Sequence, residues 1–571
     1  MNSPSRPHLV VLLLAAGLPC AAAQDIGAVL RHQKISMTEG GFVGPLHEAD
    51  LFGIGAAALG DLDGDGVTEL AVGAYFDDDG GPDRGAVWIL FLNTDGTVKG
   101  QQKISSTEGN FVGPLHDSDL FGWSVAGLGD LDGDGTRDMA VGAWLDDDGG
   151  FELDMGAVYI LFLEPDGTVD HQQKISPVQG GFTGALDFGD RFGTSLAVLG
   201  DLDGDGTTDM GVGSLYDDDG GSNCGSAWIC FLKPDGTVKG QQKISNLQGG
   251  LVGPLQEESR FGYSGAPLGD INLDGIPDVA FGATLDNDGG LWRGAVWLLA
   301  LGTDGTVKKE RKISSTQGGL VGPLEDYDVF GRSIANLGDL DGDGRTDIAV
   351  GATGDDDAKG LAVGEDRGAV YVLLLEGDAS VKAEQKISDT AGDFHGQIDD
   401  IDGFGQAVAS LGDLDGDGVA DVVATAIQDD DGVPDCGAAW VLFLSDGTWN
   451  NPGAGVGGAA GVPLLLGAGP LEANTSVKIT ASSLPPMQAA WLLVSTAALE
   501  QPFKGSLMFP DPGAPGLLLP YATGPAGTFV LQGTWPHGVP PGTTLWLQTW
   551  SVDPSARQGA AGSNALVATT P

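Results

Sequence analysis

The chain has 571 residues and Gly 96 without a strict Gly-x-y period, so it exceeds one ordinary domain and is not collagen. Lys+Arg 27 against Asp+Glu 80 gives a formal net charge of -53. That balance excludes nucleic acid and anionic membrane surfaces as partners and favours cations or basic partners.

In chain order, the first element is a processing signal. Arg6 and His8 precede the apolar run Leu9–Leu18, and Ala21–Ala23 supplies a small-residue cleavage site before Gln24. "GLPC" around Cys20 is a poor lipobox. No later apolar run approaches the ~20 residues of a membrane span. Residues 1–23 are therefore read as a signal peptide, and the mature protein as secreted or displayed at the cell surface.

A lone "RHQKIS" (Arg31–Ser36) follows, and after it come six repeats. "FG" opens each unit at Phe52, Phe121, Phe192, Phe261, Phe330 and Phe404, and an acidic cluster begins nine residues later in every copy. "KIS" recurs at Lys34, Lys103, Lys174, Lys243, Lys312 and Lys386, with 17 residues from its Ile to the next "FG" Phe. Each unit predicts four strands, exemplified by "FGWSVAGLG", "DMAVGA", "GAVYILFL" and "QQKIS". The third is apolar on both alternating faces, as a strand between neighbouring sheets must be. Asp-Gly turns after it suit a hairpin into the fourth. Four-stranded meanders repeated about an axis make a β-propeller. The sixth unit ends without a "KIS", so the N-terminal strand is expected to complete blade six and remove the sheet edges.

"FG…LGDLDGDGxxDxAVGA…GAVxILFL" resembles the FG-GAP repeats of integrin α-subunit propellers and of many secreted bacterial proteins, over about Gln33–Trp449. Integrin propellers have seven blades; six motif sets are present here, and six blades are expected.

The clusters follow D-x-D-G-D-G-x-x-D. Carboxylates so closely spaced converge only if the backbone curls, which Gly at positions 4 and 6 permits. Many oxygen ligands in a flexible loop suit Ca²⁺ better than Mg²⁺. The resemblance implies a Ca²⁺ hairpin ligated by side chains 1, 3, 5 and 9 and the carbonyl of 7. Blade one then offers Asp61, Asp63, Asp65, Glu69 and the Val67 carbonyl; blade two Asp130, Asp132, Asp134, Asp138 and Thr136; blade three Asp201, Asp203, Asp205, Asp209 and Thr207. Blade four offers Asp270, Asn272, Asp274, Asp278 and Ile276; blade five Asp339, Asp341, Asp343, Asp347 and Arg345; blade six Asp413, Asp415, Asp417, Asp421 and Val419. Asn272 and Leu273 make the fourth site the weakest. The alternative for any single copy is an acidic Asx-type turn.

A second acidic cluster follows strand two, at Asp77–Asp79, Asp146–Asp148, Asp217–Asp219, Asp286–Asp288, Asp355–Asp357 and Asp429–Asp431. A solvated rim and a further Ca²⁺ or ligand site are equally good readings of it. Loops alternate between the ends of a blade, so this cluster and the long loop between blades lie opposite the Ca²⁺ hairpins. His47 and His116 share one position in the long loop, near Glu48, Asp50, Asp117 and Asp119. Such a pair suits acid–base chemistry, although exposed loop residues read the same way. Cys224 and Cys436 fall on opposite blades and Cys224 and Cys230 six apart on one strand, so no intrachain disulfide is expected.

Nearly all the charge precedes Asn451. The propeller is therefore assigned to 24–450, a linker to 451–461 and a small β-sandwich to 462–571. Altogether the sequence predicts an all-β, six-bladed propeller closed by its N-terminal strand, monomeric and without a membrane span. Its predicted role is Ca²⁺-dependent adhesion or recognition, with a protein or glycan ligand on the face opposite the hairpins. The alternative is a secreted hydrolase or lyase acting at the propeller funnel.

Overall fold

The computed structural model describes residues 26–148, 154–356, 366–447, 449–453 and most of 463–570. The signal segment, residues 149–153 and 357–365 (the insertions of blades two and five), and 454–462, which include most of the expected linker, lie outside the described residues. Among the described residues every regular element is a strand.

Six four-stranded antiparallel sheets follow one another along the chain. Blade two is representative, with Phe121–Gly129, Asp138–Ala143, Ala157–Leu163 and Val169–Ile175 in spatial order. All seven residues of its third strand are buried, because both of its faces meet neighbouring blades. The first strands of successive blades adjoin one another, and Ala56–Gly60 of blade one adjoins Val408–Gly412 of blade six, so the ring closes at six. Val29–Ile35 pairs with Ala438–Leu444 and supplies the fourth strand of blade six, as the unpaired "KIS" predicts.

The "FG" phenylalanines staple each blade to the one before. All six are fully buried. Phe121 N donates to Arg84 O at 3.0 Å, and the same bond closes the ring, from Phe52 N to Cys436 O at 2.9 Å. Gly85 makes this approach possible: its φ is +83°, and a Cβ there would lie 2.0 Å from the Phe121 carbonyl oxygen. Hydroxyls add a second tie, as Ser124 Oγ donates to Gly193 O at 2.8 Å.

Arg31–Leu414 with Ala420–Leu444 form one compact unit; Ser445–Pro571, together with the loop tip Asp415–Val419, fall in the other. The second unit contains a six-stranded and a three-stranded sheet that share a core including Leu465, Ile479, Leu492, Leu547 and Leu566, a β-sandwich. Trp449–Gly453 pairs with Ala565–Thr569 and is the edge strand of the larger sheet. That stretch reads in sequence as the end of the propeller and the start of a linker because of Pro452 and Gly453. An edge strand tolerates proline, since one side of it needs no ladder donor. Cys224, Cys230 and Cys436 are free and buried.

Candidate functional site

The acidic hairpins join the first strand of each blade to the second. In blade one, Gly64 N donates to Asp61 Oδ1 at 2.8 Å and Gly66 N to Asp61 Oδ2 at 2.9 Å, so the first carboxylate sets the curl. Both glycines have positive φ, +80° and +90°. Asp65 Oδ1 accepts from Val67 N at 3.0 Å. Blades two and three repeat the Asp130 and Asp201 bonds, and Gly344 N reaches Asp339 Oδ2 at 2.8 Å. A carboxylate oxygen has two lone pairs, so an amide on one leaves the other available to a cation.

Positions 1, 3 and 9 converge. One oxygen each from Asp61, Asp63 and Glu69 lie within 4.8 Å of one another, as do those of Asp130, Asp132 and Asp138, of Asp201, Asp203 and Asp209, and of Asp339, Asp341 and Asp347. The position-5 aspartates stand outside these groups and accept the position-7 amide instead, Thr136 N to Asp134 and Thr207 N to Asp205 among them. In blade six, Asp421 Oδ2 accepts from Leu414 N at 3.0 Å, while within the tip Asp415 accepts from Asp417 N and Asp417 from Val419 N. In blade four Asp270 accepts from Asp274 N and Gly275 N, and Asp278 from Ile271 N and Leu301 N; the Asn272 Oδ1 is buried and accepts no hydrogen bond, and Leu273 stands at φ +62° where the other loops have glycine. In blade five, Arg345 holds position 7.

The position-9 carboxylate has a structural task that its place in the motif does not reveal. Asp138 accepts from Leu131 N at 2.8 Å and Leu163 N at 3.2 Å, tying the hairpin to the end of the third strand. Burial pushes it up to about 6 against those amides, and pushes Asp209, Asp278 and Asp347 up equally. Burial, with Asp63 and Asp65 nearby, brings Glu69 to about 7. Glu69 Oε1 is buried without a hydrogen-bond partner, its closest cation being Lys99 Nζ at 3.7 Å. The orphaned Glu69 oxygen, beside the convergent Asp61 and Asp63, fits a divalent cation. In three hairpins an ammonium lies against positions 3 and 5: Lys99 on Asp63 and Asp65, Lys239 on Asp203 and Asp205, Lys382 on Asp341 and Asp343. Blade two has Asp170 at that register.

The second acidic loop is neither a rim nor an open carboxylate site. The first Asp of each described loop is buried and faces the "KIS" lysine of its own blade. Lys103 Nζ lies 2.6 Å from Asp77 and 2.8 Å from Asp79, and Lys174, Lys243, Lys312 and Lys34 repeat this clamp. In blade five Lys386 meets Asp355; Asp357 lies outside the described residues. The "KIS" serine caps the clamp, with Ser105 Oγ donating to Asp79 at 2.8 Å. The ammonium also stands 5.5 Å from the Trp88 ring centroid. Burial alone would lower Lys103, but the hydrogen bonds to Asp77 and Asp79 hold it above its ordinary value. Local spacing hid this pairing, because the lysine lies 24 to 31 residues after its aspartates in blades one to five and nearly 400 residues before them in blade six, and the partners meet only when strand four pairs.

His47 and His116 are about two-thirds exposed, with Nδ1 3.6 and 3.7 Å from Asp50 and Asp119. Their backbone amides, rather than their rings, engage those aspartates, each at 2.7 Å. Asp190, Asp328 and Asp402 cap the same turn elsewhere, and Ser259 replaces the acid in blade four.

The departure from six-fold repetition is concentrated at the axis. A channel of about 300 Å³ is lined by the first strands of all six blades. The residue after "FG" is Ile54, Trp123, Thr194, Tyr263, Arg332 or Gln406, all on the channel wall. Beyond it on the loop side, Trp144 stacks on Trp123 with centroids 3.8 Å apart, and Arg191 lies 4.3 Å above Trp144. The sequence marks these positions only as a variable column directly after the invariant "FG".

The comparisons agree with this architecture. FG-GAP repeat models match residues 52–90, 330–373 and 115–162. Human integrin alpha-10 is 33% identical over 201 residues, 35% of this chain and 15% of that protein. Integrin alpha-3 of Cricetulus griseus is 31% identical over 201 residues, and integrin alpha-PS2 of Drosophila melanogaster 32% over 230. The chain spans 14–17% of the length of these three relatives. Its repeats are FG-GAP repeats of the integrin-α-like kind.

Proposed function

We propose that this FG-GAP propeller works outside the cell as a Ca²⁺-bound recognition or adhesion module, engaging its ligand on the face opposite the acidic hairpins. The observation that carries this reading is the segregation of the two kinds of residue. Hairpins, lysine clamps and "FG" staples repeat around the ring and serve the scaffold. The axial column and its loop-side neighbours vary from blade to blade, as a site for one ligand requires. The channel lining contains Tyr, Arg, Gln, Ser and Thr, and among its described residues no carboxylate or histidine, which suits binding better than acid–base hydrolysis. Within the described residues no helix is long and apolar enough to cross a membrane.

In the hairpins of blades one, two, three and five the residues that would hold Ca²⁺ are the converging carboxylates at positions 1, 3 and 9, with positions 5 and 7 as further oxygen donors; in blade four the Asn272 amide oxygen would stand at position 3. Bound Ca²⁺ would supply charge that balances carboxylates otherwise pressed together. Asp130, through Gly133 N and Gly135 N, keeps the loop curled for that task. Asp138, through Leu131 N and Leu163 N, passes the loop's order to the hairpin and third strand.

The test is a binding screen of the purified full chain against arrayed glycans and extracellular-matrix proteins, in Ca²⁺ and in EDTA. Saturable binding to one ligand class, reduced by EDTA, is expected. No binding above an unrelated acidic propeller would overturn the reading.

A further inference from the structure

We infer that the loop-side mouth of the axial channel is an anion site built by Arg191, Arg260 and Arg332, and that it receives the carboxylate of an acidic sugar. This deepens the reading of that face as the recognition face and rests on it.

Cations are scarce in a chain of net charge -53, and most described ones are spent on carboxylates. Arg84, Arg293, Arg311 and Arg367 each bind an aspartate. Among the described residues, no carboxylate lies within 4 Å of Arg191, Arg260 or Arg332. Instead their guanidinium groups lie on aromatic rings: Arg191 and Arg260 both over Tyr216, at 4.5 and 4.9 Å, and Arg332 over Tyr263 at 4.5 Å. Two like charges sharing one ring repel each other, and an anion between them relieves that. Nε of Arg191 and of Arg260 are buried donors without an acceptor. A buried donor without an acceptor is costly, so a ligand that supplies acceptors is favoured there.

Arg332 lines the channel itself. Its Nε donates to Gln406 Oε1 at 2.9 Å, which fixes the guanidinium plane. A planar fork so held matches a carboxylate in two-point fashion. Tyr263 stands near Arg332, Arg260 and Tyr216, and Tyr75 near Tyr263 and Arg332, so blades one, three, four and five converge here. Arg191 and Arg260 occupy the position before "FG", where φ is +58° and +57°. Leu51, Leu120 and Val329 hold the same strained conformation in other blades, so the scaffold aims this position inward whatever its side chain.

The ligand class follows from size and wall chemistry. A volume of about 300 Å³ is at the small end of ligand sites and admits one sugar-sized group rather than a folded surface. The walls combine aromatic rings at Trp123 and Tyr263 with the Gln406 amide and the Thr194 hydroxyl. A pyranose presents C–H faces to the rings and hydroxyls to the polar groups, and a uronate adds the carboxylate.

The test titrates the Ca²⁺-loaded full chain with tetragalacturonate, its methyl ester and an aspartate-containing hexapeptide, read by calorimetry and tryptophan fluorescence. Tetragalacturonate alone should bind saturably. Arg332→Gln, and Arg191→Gln with Arg260→Gln, should each weaken it at least tenfold, with melting temperatures close to the parent. Arg84→Gln, a paired arginine outside the channel, should leave it unchanged. Absence of uronate binding, equal binding of the ester, preference for the peptide, or insensitivity to the channel arginines would each overturn the inference. If the array screen finds a ligand whose binding ignores these arginines, the recognition reading stands and the anion site alone falls.

Discussion

Removing one ammonium from a lysine clamp should show how the second acidic loop is held. Lys103→Met keeps most of the stem against Trp88 but leaves Asp77, 1% exposed, beside Asp79 with no counter-charge. Breaking a buried ion pair from one side costs about 3–5 kcal/mol. An unfolding entropy of about 2.1 cal/mol/K per residue over a unit of roughly 400 residues gives ~0.8 kcal/mol/K. The expected fall in Tm is therefore about 4–6 °C if the propeller melts as one unit. Adding Asp77→Asn and Asp79→Asn removes the stranded charges, while the carboxamide oxygen introduced in place of the Asp77 carboxylate can still accept the backbone amide of Asp79, which Asp77 accepts at 3.0 Å. The triple variant should recover at least half of the loss, because an uncharged cluster needs no ion pairing. Differential scanning calorimetry measures both variants. An unchanged Tm for Lys103→Met, or a triple variant no better than the single, would show that the clamp does not hold this loop.

Chelation should lower the melting temperature. Extracellular modules bind Ca²⁺ at ~0.1–1 mM, so at 1 mM each site adds about 0.4–1.4 kcal/mol; an unchanged melt in EDTA would count against bound Ca²⁺. Lys99→Ala and Lys239→Ala should tighten Ca²⁺ at blades one and three severalfold by removing a competing ammonium, and blade two should be tightest in the parent; terbium luminescence titration reads this. Truncation through Ser36 should strip blade six of its fourth strand and leave Asp429 and Asp431 without Lys34, giving aggregation on size exclusion that a peptide of residues 26–37 reverses. Burial, then the neighbouring Asp355, push Asp328 up to about 8, and burial takes Asp190 and Asp402 to about 7. A carboxyl raised in the folded state favours folding below its unfolded value near 4 and costs stability as pH rises through 7–8. Tm should thus rise from pH 8 to pH 6. Asp328→Asn should flatten that rise, since an amide oxygen can accept the Glu325 N bond without titrating.

Much of this protein is determined by its sequence alone. The 17-residue step from "KIS" to "FG", the acidic clusters at fixed register and the unpaired Arg31–Ser36 strand specify the blades, their number and their closure. Periodicity and turn chemistry are local properties, and six copies reinforce one another. The hairpin curl is equally local, with Asp61 binding amides only three and five residues away. Tertiary structure decided what each acid does. Asp77 reads in sequence like Asp61, yet one meets Lys103 in the interior and the other belongs to a set of converging carboxylates. Asp138 carries two amides supplied by Leu131 and by Leu163, a residue 25 positions away on the third strand. Trp449–Gly453 became a strand because the distant Ala565–Thr569 pairs with it. The axial cluster is the extreme case: Arg191, Arg260 and Arg332 come from three successive blades, and only the packing of those blades sets Arg191 and Arg260 over one Tyr216 ring with Arg332 over Tyr263. Closure depends on main-chain groups and small residues at each blade contact, so the axial side chains were left free to differ, and no repeat could announce them.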